Sequence, residues 1–263
     1  MGVLLQCEER AEGGCLARVT IDNTSKLNSL NRALMGEIVE AAAALASDAR
    51  LRLVILTGAG GRAFVGGADI GEIAVLDHAS ARDFITMVHR CCAAFRRLPV
   101  PVIARIDGWT LGAGLELACA CDLRVASERS RFAMPEVRVG IPSVVEAALL
   151  PKLIGQGRAR RLLLTGDAIE AAEALAWGLI DIMAPADGLD EAVDRLAGSI
   201  LAAGPQAIRL QKSMLLEWEE LPIAAAIARG IDCFVNAFDT DEPTRMAGAR
   251  LAELKSRPRS TRE

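Results

Sequence analysis

Hydrophobic positions in the first part of the chain switch between short β-branched runs and longer runs at helical spacing. The short runs predict a hairpin, with strands over residues 3–8 and 15–21 and a turn at residues 12–14. Asn31 is typical of a helix N-cap, and the apolar spacing after it predicts a helix over residues 33–46. A hairpin followed by an amphipathic helix favours a mixed α/β fold.

The same alternation continues to about residue 144. Ser80 fits a helix N-cap and Pro99 follows the last apolar position, so a helix is predicted over residues 80–98. Further strands are predicted over residues 53–57, 102–106 and 123–126, and a short buried helix over residues 114–121. The repeat of strand, glycine turn and helix predicts an α/β architecture with helices packed on sheets.

Beyond about residue 144 the pattern becomes helical almost throughout. Helices are predicted over residues 144–153, 158–164, 169–177, 189–203, 206–217, 223–238 and 243–255. Gly204-Pro205 is the strongest boundary signal in this half of the chain. Residues 1–203 are therefore predicted to form the core, and residues 204–263 a helical C-terminal region.

Composition and charge exclude several classes of function. The chain has 263 residues, 52% of them apolar, and a net charge of −4 with a pI near 5.4. This acidic balance disfavours nucleic-acid binding, which needs a basic face. No apolar run reaches the ~20 residues that span a bilayer. The first residues resemble neither a signal peptide nor a transit peptide, so no membrane partner and a cytoplasmic location are expected.

Cysteine and histidine usage argues against disulfides and metal sites. The seven cysteines are an odd number and include no CxxC pair, which fits small core residues of a cytoplasmic protein. The two histidines, His78 and His89, stand outside HxxE and HExxH spacings and are interpreted as surface helix residues. No metal ligand is therefore predicted.

Two turns rich in glycine and alanine are the strongest chemical feature of the chain. They are residues 64–69 (FVGGAD) and 108–116 (GWTLGAGLE), and a third segment, residues 134–136 (MPE), follows them. Small residues let a ligand approach the backbone and leave N–H groups free to bind an oxygen. Two such donors beside Glu116 and Glu136 would suit polarisation of a carbonyl group and proton transfer next to it.

These features also have simpler interpretations. Residues 58–63 match the GxGxxA pattern of dinucleotide-binding folds, but no helix begins within the motif, so that interpretation is disfavoured. Asp69 fits the N-cap of a short helix, and Glu136 taken alone fits an exposed edge-strand acid. Glu116 lies in the most apolar segment, where an unpaired carboxylate is costly, so either a partner or a function must keep it there.

Taken together, residues 64–70, 107–118 and 132–142 resemble the three sequence signatures of the enoyl-CoA hydratase/isomerase (crotonase) superfamily, in the same order. Residues 121–126 resemble the strand after the second turn. The resemblance covers nearly the whole chain. It implies an α/β spiral of repeated ββα units and a helical C-terminal region that mediates assembly into a homotrimer, with two trimers stacking into a homohexamer.

The resemblance also implies an acyl-CoA thioester substrate and no metal or redox cofactor. The backbone N–H groups of Ala68 and Ala113 would form the oxyanion hole. Glu116 and Glu136 would hold one water for syn addition to a 2-enoyl-CoA, with Glu116 assisting attack at Cβ and Glu136 delivering a proton to Cα. The substrate or its coenzyme A moiety would contact Lys26, Ala63, Phe64, Gly66, Asp69 and Gly112.

One segment departs from the family pattern. Residues 143–150 read SVVEAALL where many hydratases have a glycine-rich run, and they add a third acid, Glu146. Both a surface or trimer-contact role and a functional role are open for Glu146. The alternative reactions are enoyl-CoA isomerisation and other crotonase-type reactions such as dehydration or thioester hydrolysis. A crotonase fold used to bind RNA is disfavoured by the acidic pI and the lack of a basic helix.

Overall fold

The computed structural model describes residues 1–10 and 14–256. The strands of this part of the chain are β1 (Gly2–Glu9), β2 (Cys15–Asp22), β3 (Leu51–Gly58), β4 (Ala63–Val65), β5 (Val102–Ile106), β6 (Trp109–Leu111), β7 (Leu123–Ser127), β8 (Arg131–Ala133), β9 (Ile169–Glu170) and β10 (Ile182–Ala184). The α-helices are α1 (Arg32–Ser47), α2 (Ile70–Ile73), α3 (His78–Arg96), α4 (Ala113–Ala120), α5 (Leu150–Ile154), α6 (Gln156–Thr165), α7 (Ala171–Trp177), α8 (Leu189–Leu201), α9 (Pro205–Trp218), α10 (Ile223–Asn236) and α11 (Glu242–Ser256).

The strands form two sheets. The larger has the order β1-β2-β3-β5-β7-β10, with β1 antiparallel to β2 and the later pairs parallel. The β1–β2 pairing confirms the strands of the predicted hairpin, although residues 12 and 13 of its turn lie outside the described residues. The smaller sheet has the order β4-β6-β8-β9, with β9 antiparallel to β8.

From β3 to β8, consecutive strands alternate between the two sheets. β3 is followed by β4 and then by α2 and α3, and β5 is followed by β6 and then by α4. The predicted α/β class with repeated ββα units is therefore confirmed. Because β4 and β6 are parallel neighbours, the turns that follow them leave the small sheet at the same edge. This pairing brings the two glycine-rich turns together.

Helix starts follow local capping chemistry. The Asn31 side chain accepts a hydrogen bond from the N–H of Leu34 at 2.8 Å, which confirms Asn31 as the N-cap of α1. The predicted start of α3 at Ser80 is wrong. Its N-cap is Asp77, whose carboxylate accepts from the Ser80 N–H at 2.8 Å while the Ser80 hydroxyl accepts from the Asp77 N–H at 2.9 Å. The two residues form a reciprocal capping box.

The second half is less helical than its pattern predicts. Residues 144–153 are not one helix, because Val144 is extended and Val145 has a φ of +41°; a 3₁₀ turn (Val145–Leu149) then leads into α5. The short strands β4, β6, β8 and β10 are not predicted by the sequence pattern, and β9 lies in a segment that the pattern predicts to be helical. Such two- and three-residue strands exist through pairing with distant strands, which local periodicity does not encode.

Helix α4 lies at the centre of the hydrophobic core. Every residue of this helix is buried, Glu116 included. It packs against α3, against β4 and β6 of the smaller sheet and against residues 145–149. A helix that is apolar on all sides requires such enclosure.

The chain divides into two compact units, Met1–Gly198 and Ser199–Glu263. The predicted boundary between residues 203 and 204 remains a prediction. In the second unit, Glu242 accepts hydrogen bonds from the N–H groups of Gln206 at 3.0 Å and Ala207 at 2.9 Å, so its carboxylate satisfies the amino end of α9. Within the described residues, no helix combines the length and the apolar character needed to cross a membrane.

Candidate active site

The two glycine-rich turns approach each other more closely than side chains would allow. A Cβ atom built on Gly114 would lie 2.1 Å from the carbonyl oxygen of Val65, at the end of β4. Gly112 has a φ of +49°, a conformation that L-residues rarely adopt. Glycine at these positions lets α4 begin directly against β4.

The first turn is held by a short bridge to the loop before α1. The Leu30 N–H donates to the Gly67 carbonyl at 2.8 Å, and the Asp69 N–H donates to the Leu30 carbonyl at 2.8 Å. Neither the Ala68 N–H nor the Ala113 N–H has an acceptor within residues 1–10 and 14–256. Both predicted oxyanion donors are therefore available, and Ala113 is the first residue of α4, where the helix dipole is positive.

Both turns open into a cavity of about 670 Å³. Its lining includes the two predicted donors and both predicted catalytic acids, namely Ala68, Ala113, Glu116 and Glu136. The remaining walls are mainly aliphatic and come from α2, α3 and residues 135–144, with Ile73, Leu76, Ile85, Leu111, Ile141 and Val144 among them. The predicted site residues thus converge on one largely apolar chamber.

Glu116 projects from α4 and is only 4% exposed. Its Oε1 accepts a hydrogen bond from the Ala147 N–H at 3.1 Å. Burial, reinforced by the nearby charges of Glu136 and Glu146 and opposed by the Ala147 hydrogen bond, raises the pKa of Glu116 to about 8. A carboxyl group that titrates near neutrality can exchange protons with a reacting molecule.

Glu136 lies in a 3₁₀ turn (Pro135–Val139) that forms another part of the chamber wall. Its Oε2 accepts a hydrogen bond from the Ser143 hydroxyl at 2.7 Å. Its Oε1 lies over Gly112, where an added Cβ atom would come within 2.0 Å of that oxygen. These two contacts fix the orientation of the carboxylate.

The predicted coenzyme A contacts are divided between the chamber and the outer surface. Gly66 and Gly112 line the chamber. Lys26, whose side chain is 61% exposed, forms an ion pair with Asp69, with 2.7 Å between Nζ and Oδ2. Asp69 also accepts from the Gly71 N–H at 2.8 Å, which confirms it as the N-cap of α2. The Lys26 hydrogen bond, helped by backbone donors, lowers the pKa of Asp69.

Ala63 and Phe64 are buried in β4, with the Phe64 ring in the core. The Ala63 carbonyl accepts from Asn28 Nδ2 at 2.8 Å, and the same amide group donates to the Ala59 carbonyl at 2.9 Å. Asn28 Oδ1 in turn accepts from the Asn23 N–H at 2.9 Å. This buried network joins the loop that carries Lys26 to the base of the first turn. The contact of these backbone groups with coenzyme A remains a prediction.

Sequence reasoning missed the residues that support the two acids. Ser143 and Ala147 hold the carboxylates, yet nothing in their local sequence distinguishes them. His89 and Glu146 are also paired, with 2.7 Å between Nδ1 and Oε1, although they lie 57 positions apart. His78 and His89 are exposed on α3 as predicted, but Glu146 is buried and does not line the chamber. No spacing rule links α3 to residue 146.

Within the described residues, no group of three or more His, Cys, Asp or Glu side chains is arranged to hold a metal ion. All seven cysteines are free thiols. The expectation that the reaction needs no metal or redox cofactor remains a prediction.

Comparison with known proteins agrees with this architecture. The family model described as Enoyl-CoA hydratase/isomerase matches residues 11–255. A protein of Syntrophomonas wolfei named crotonyl-CoA hydratase is 34% identical over 255 residues, which cover 97% of this chain and 96% of that protein. The short-chain-enoyl-CoA hydratase of Clostridium acetobutylicum is 34% identical over 230 residues, which cover 87% of this chain and 88% of that protein.

Solved structures give the same result. The crystal structure of an enoyl-CoA hydratase from Bacillus anthracis matches with a TM-score of 0.87 and 31% identity, covering 97% of each chain. The predicted family resemblance is thus confirmed in sequence and in fold. The chain belongs to the enoyl-CoA hydratase/isomerase family.

Proposed function

We propose that this protein is an enoyl-CoA hydratase that adds water syn across the 2,3 double bond of a 2-enoyl-CoA. One observation carries the proposal: a single chamber is lined by two glutamates, Glu116 and Glu136, and by two residues with free N–H groups, Ala68 and Ala113. The names of the Syntrophomonas wolfei and Clostridium acetobutylicum relatives support the same reaction.

The two amides act on the thioester carbonyl. Hydrogen bonds from Ala68 and Ala113 polarise the C=O group and stabilise the negative charge that its oxygen gains as the enolate forms. The positive end of α4 adds to this stabilisation. Loss of one such donor typically costs about 10²–10³ in kcat.

The two glutamates transfer protons during the addition of water. Deprotonated Glu116 accepts a proton from the water while its oxygen bonds to Cβ, and Glu136 gives a proton to Cα. A proton that then passes from Glu116 to Glu136 restores the pair, so water is consumed and no other reactant is needed. Each acid or base of this kind contributes about 10²–10⁴-fold to the rate.

The same proposal includes the contacts with the acyl-CoA. The aliphatic chamber walls receive the acyl chain, while Gly66 and Gly112 let the thioester approach the backbone. Lys26 meets a coenzyme A phosphate from its exposed position beside Asp69, and the backbone of Ala63 and Phe64 borders the adenine. The proposal includes no metal or redox cofactor: addition of water is redox-neutral overall, and the Ala68 and Ala113 amides supply the carbonyl polarisation that a metal could otherwise provide.

We also propose that the second unit assembles the chain into a homotrimer or a hexamer of two trimers. Its α10 presents an exposed apolar stripe at helical spacing, formed by Ile223, Ile227, Ile231 and Phe234. Light scattering on the wild type and on Ile231→Glu tests this, with a smaller species expected for the variant.

A cytoplasmic location is proposed because all seven cysteines are free thiols.

The decisive experiment follows the loss of crotonyl-CoA absorbance with wild type, Glu116→Gln and Glu136→Gln. Rapid loss with wild type and at least ~10²-fold slower loss with each variant is expected. Glu173→Gln is the matched control, since Glu173 forms an exposed ion pair with Arg161 on α6, at 2.7 Å. A folded wild type that leaves crotonyl-CoA unchanged but interconverts 3-enoyl- and 2-enoyl-CoA would replace hydration with isomerisation.

A further inference from the structure

Glu146 is a buried acid with no part in the proposed mechanism. Its side chain is 8% exposed, and its Oε1 lies 2.7 Å from Nδ1 of His89, whose side chain is 47% exposed on α3. Its Oε2 has no hydrogen-bond partner among the described residues. A buried carboxylate with one unsatisfied oxygen lowers stability, so its presence calls for an explanation.

The backbone beside Glu146 is strained. Val145 has a φ of +41°, where a β-branched residue is a true outlier. Such a conformation persists only where surrounding contacts determine it. The conformation of Val145 therefore requires contacts that stabilise it, and the His89–Glu146 pair lies directly next to this residue.

The strained turn carries one functional group into the site. Two residues after Val145, the Ala147 N–H donates to Glu116 Oε1 at 3.1 Å. The turn thus lies between α3, which carries His89, and α4, which carries Glu116. A shift of the turn would move the donor that orients Glu116 in the chamber.

We propose that the His89–Glu146 pair is a positioning device for Glu116: it ties the 145–149 turn to α3 and so holds the Ala147 N–H on the Glu116 carboxyl group. The inference rests on the proposed hydratase function for its kinetic consequence. Neither His89 nor Glu146 lines the chamber, so both act through the turn.

The charge of Glu146 affects the pKa of Glu116, so changes at the pair can be followed through that pKa. Glu116 is faced by the acids Glu136 and Glu146, and the charge of Glu146 also reaches Cys91 and Cys92 on α3. Burial keeps the thiol of Cys91 protonated by raising its pKa to about 12. Replacing Glu146 with Gln keeps a hydrogen-bond acceptor for His89 and removes one negative charge, so the pKa of Glu116 should fall.

The kinetic test compares His89→Ala, Glu146→Ala and the conservative His89→Asn, whose Nδ2 can take the place of Nδ1. We expect kcat to fall about 10- to 100-fold in both alanine variants with KM little changed, because misplacing a catalytic group by about 1 Å has effects of this size. His89→Asn should stay within a few-fold of wild type. Glu173→Ala, which breaks an exposed pair of the same 2.7 Å length, is the control and should not change kcat.

A second readout is independent of catalysis. The infrared band of the protonated Glu116 carboxyl, assigned by its loss in Glu116→Gln, is titrated in the wild type and in Glu146→Gln without substrate. A higher midpoint in His89→Ala, as the Ala147 hydrogen bond weakens, supports the inference even if crotonyl-CoA is not a substrate. The lower midpoint expected in Glu146→Gln follows from its lost charge and shows that the band reports the surroundings of Glu116. Unchanged midpoints, or a folded His89→Ala with the kcat of an active wild type, overturn it while leaving the hydratase proposal intact.

Discussion

Gly112 lies directly under the carboxyl group of Glu136: a Cβ atom on residue 112 would be 2.0 Å from Oε1 and 3.2 Å from Cδ. The same glycine precedes α4 and has a φ of +49°. One residue therefore sets both the start of the helix that carries Glu116 and the space in which Glu136 rests.

Replacing Gly112 with Ala should displace the Glu136 carboxylate and strain the turn. We expect kcat for crotonyl-CoA to fall by about 10²-fold, the size expected for a misplaced catalytic group. Steady-state kinetics at a temperature where the variant is folded checks this.

Gly155→Ala is the control for Gly112→Ala, because it introduces backbone strain without displacing a neighbouring group. Gly155 also has a positive φ, +79°, but an added Cβ atom would meet nothing within 4 Å. Both variants should lose thermal stability, and only Gly112→Ala should lose activity. Equal kcat in the two variants would contradict the proposed role of the Gly112–Glu136 contact.

Removing the Ser143 hydroxyl should release one oxygen of Glu136. The lost hydrogen bond, 2.7 Å long, leaves the carboxylate free to rotate, so Ser143→Ala should lower kcat about 10-fold with a smaller change in KM. Ser213→Ala is a matched control, because Ser213 donates to Glu217 at 3.2 Å on the exposed surface of α9. A kcat for Ser143→Ala equal to that of the control would show that Ser143 does not orient Glu136.

The raised pKa of Glu116 predicts a specific pH dependence. Burial, then the charge of Glu136, raises it to about 8, so the carboxyl group is protonated below that pH. Only the deprotonated form accepts a proton from water. The kcat/KM for crotonyl-CoA should therefore rise as the pH increases towards about 8, since kcat/KM reports groups of the free enzyme. A profile that falls across this interval would rule out Glu116 as the base.

Asn28 should be important for stability, since it is buried and its side chain forms hydrogen bonds with four backbone groups. Replacing it with Ala leaves the Ala63 and Ala59 carbonyls without their donor, which costs about 1–3 kcal/mol for each buried group left unpaired. Alanine would also have to adopt the φ of +58° that Asn28 has, which is unfavourable for this residue. Urea unfolding at fixed protein concentration should show a lower midpoint for Asn28→Ala.

Asn28→Gly is the informative comparison for this site. It loses the same hydrogen bonds but tolerates a positive φ, so it should be destabilised less than Asn28→Ala. A midpoint equal to wild type in both variants would mean that water satisfies the exposed carbonyls equally well.

Much of the local structure was predictable from the sequence. Asn31 and Asp69 cap helices because an Asn or Asp side chain reaches the amides two or three residues ahead, an interaction contained within one turn. The start of α3 was placed wrongly for a related reason. Asp77 and Ser80 both have capping side chains, and only the structure shows that each serves the other.

The part of the candidate site that lies in short sequence motifs was predictable from the sequence. The glycine-rich turns and the acids Glu116 and Glu136 were identified from the sequence, and the structure places them around one chamber. Glu146 was left open between a surface role and a functional role. Its burial against His89 could not be anticipated, because no pattern of neighbouring residues encodes a contact across 57 positions.

The sequence by itself determined the α/β pattern, the capped helices, the glycine-rich turns and the types of chemical group available, because each depends on residues a few positions apart. The tertiary structure alone decided which groups meet. Pairing between β4 and β6 joined the two turns, packing of the 145–149 turn placed the Ala147 N–H on Glu116, and enclosure of α4 raised the pKa of Glu116 to about 8. Desolvation and long-range hydrogen bonds arise from the folded surroundings, which no local stretch of the chain contains.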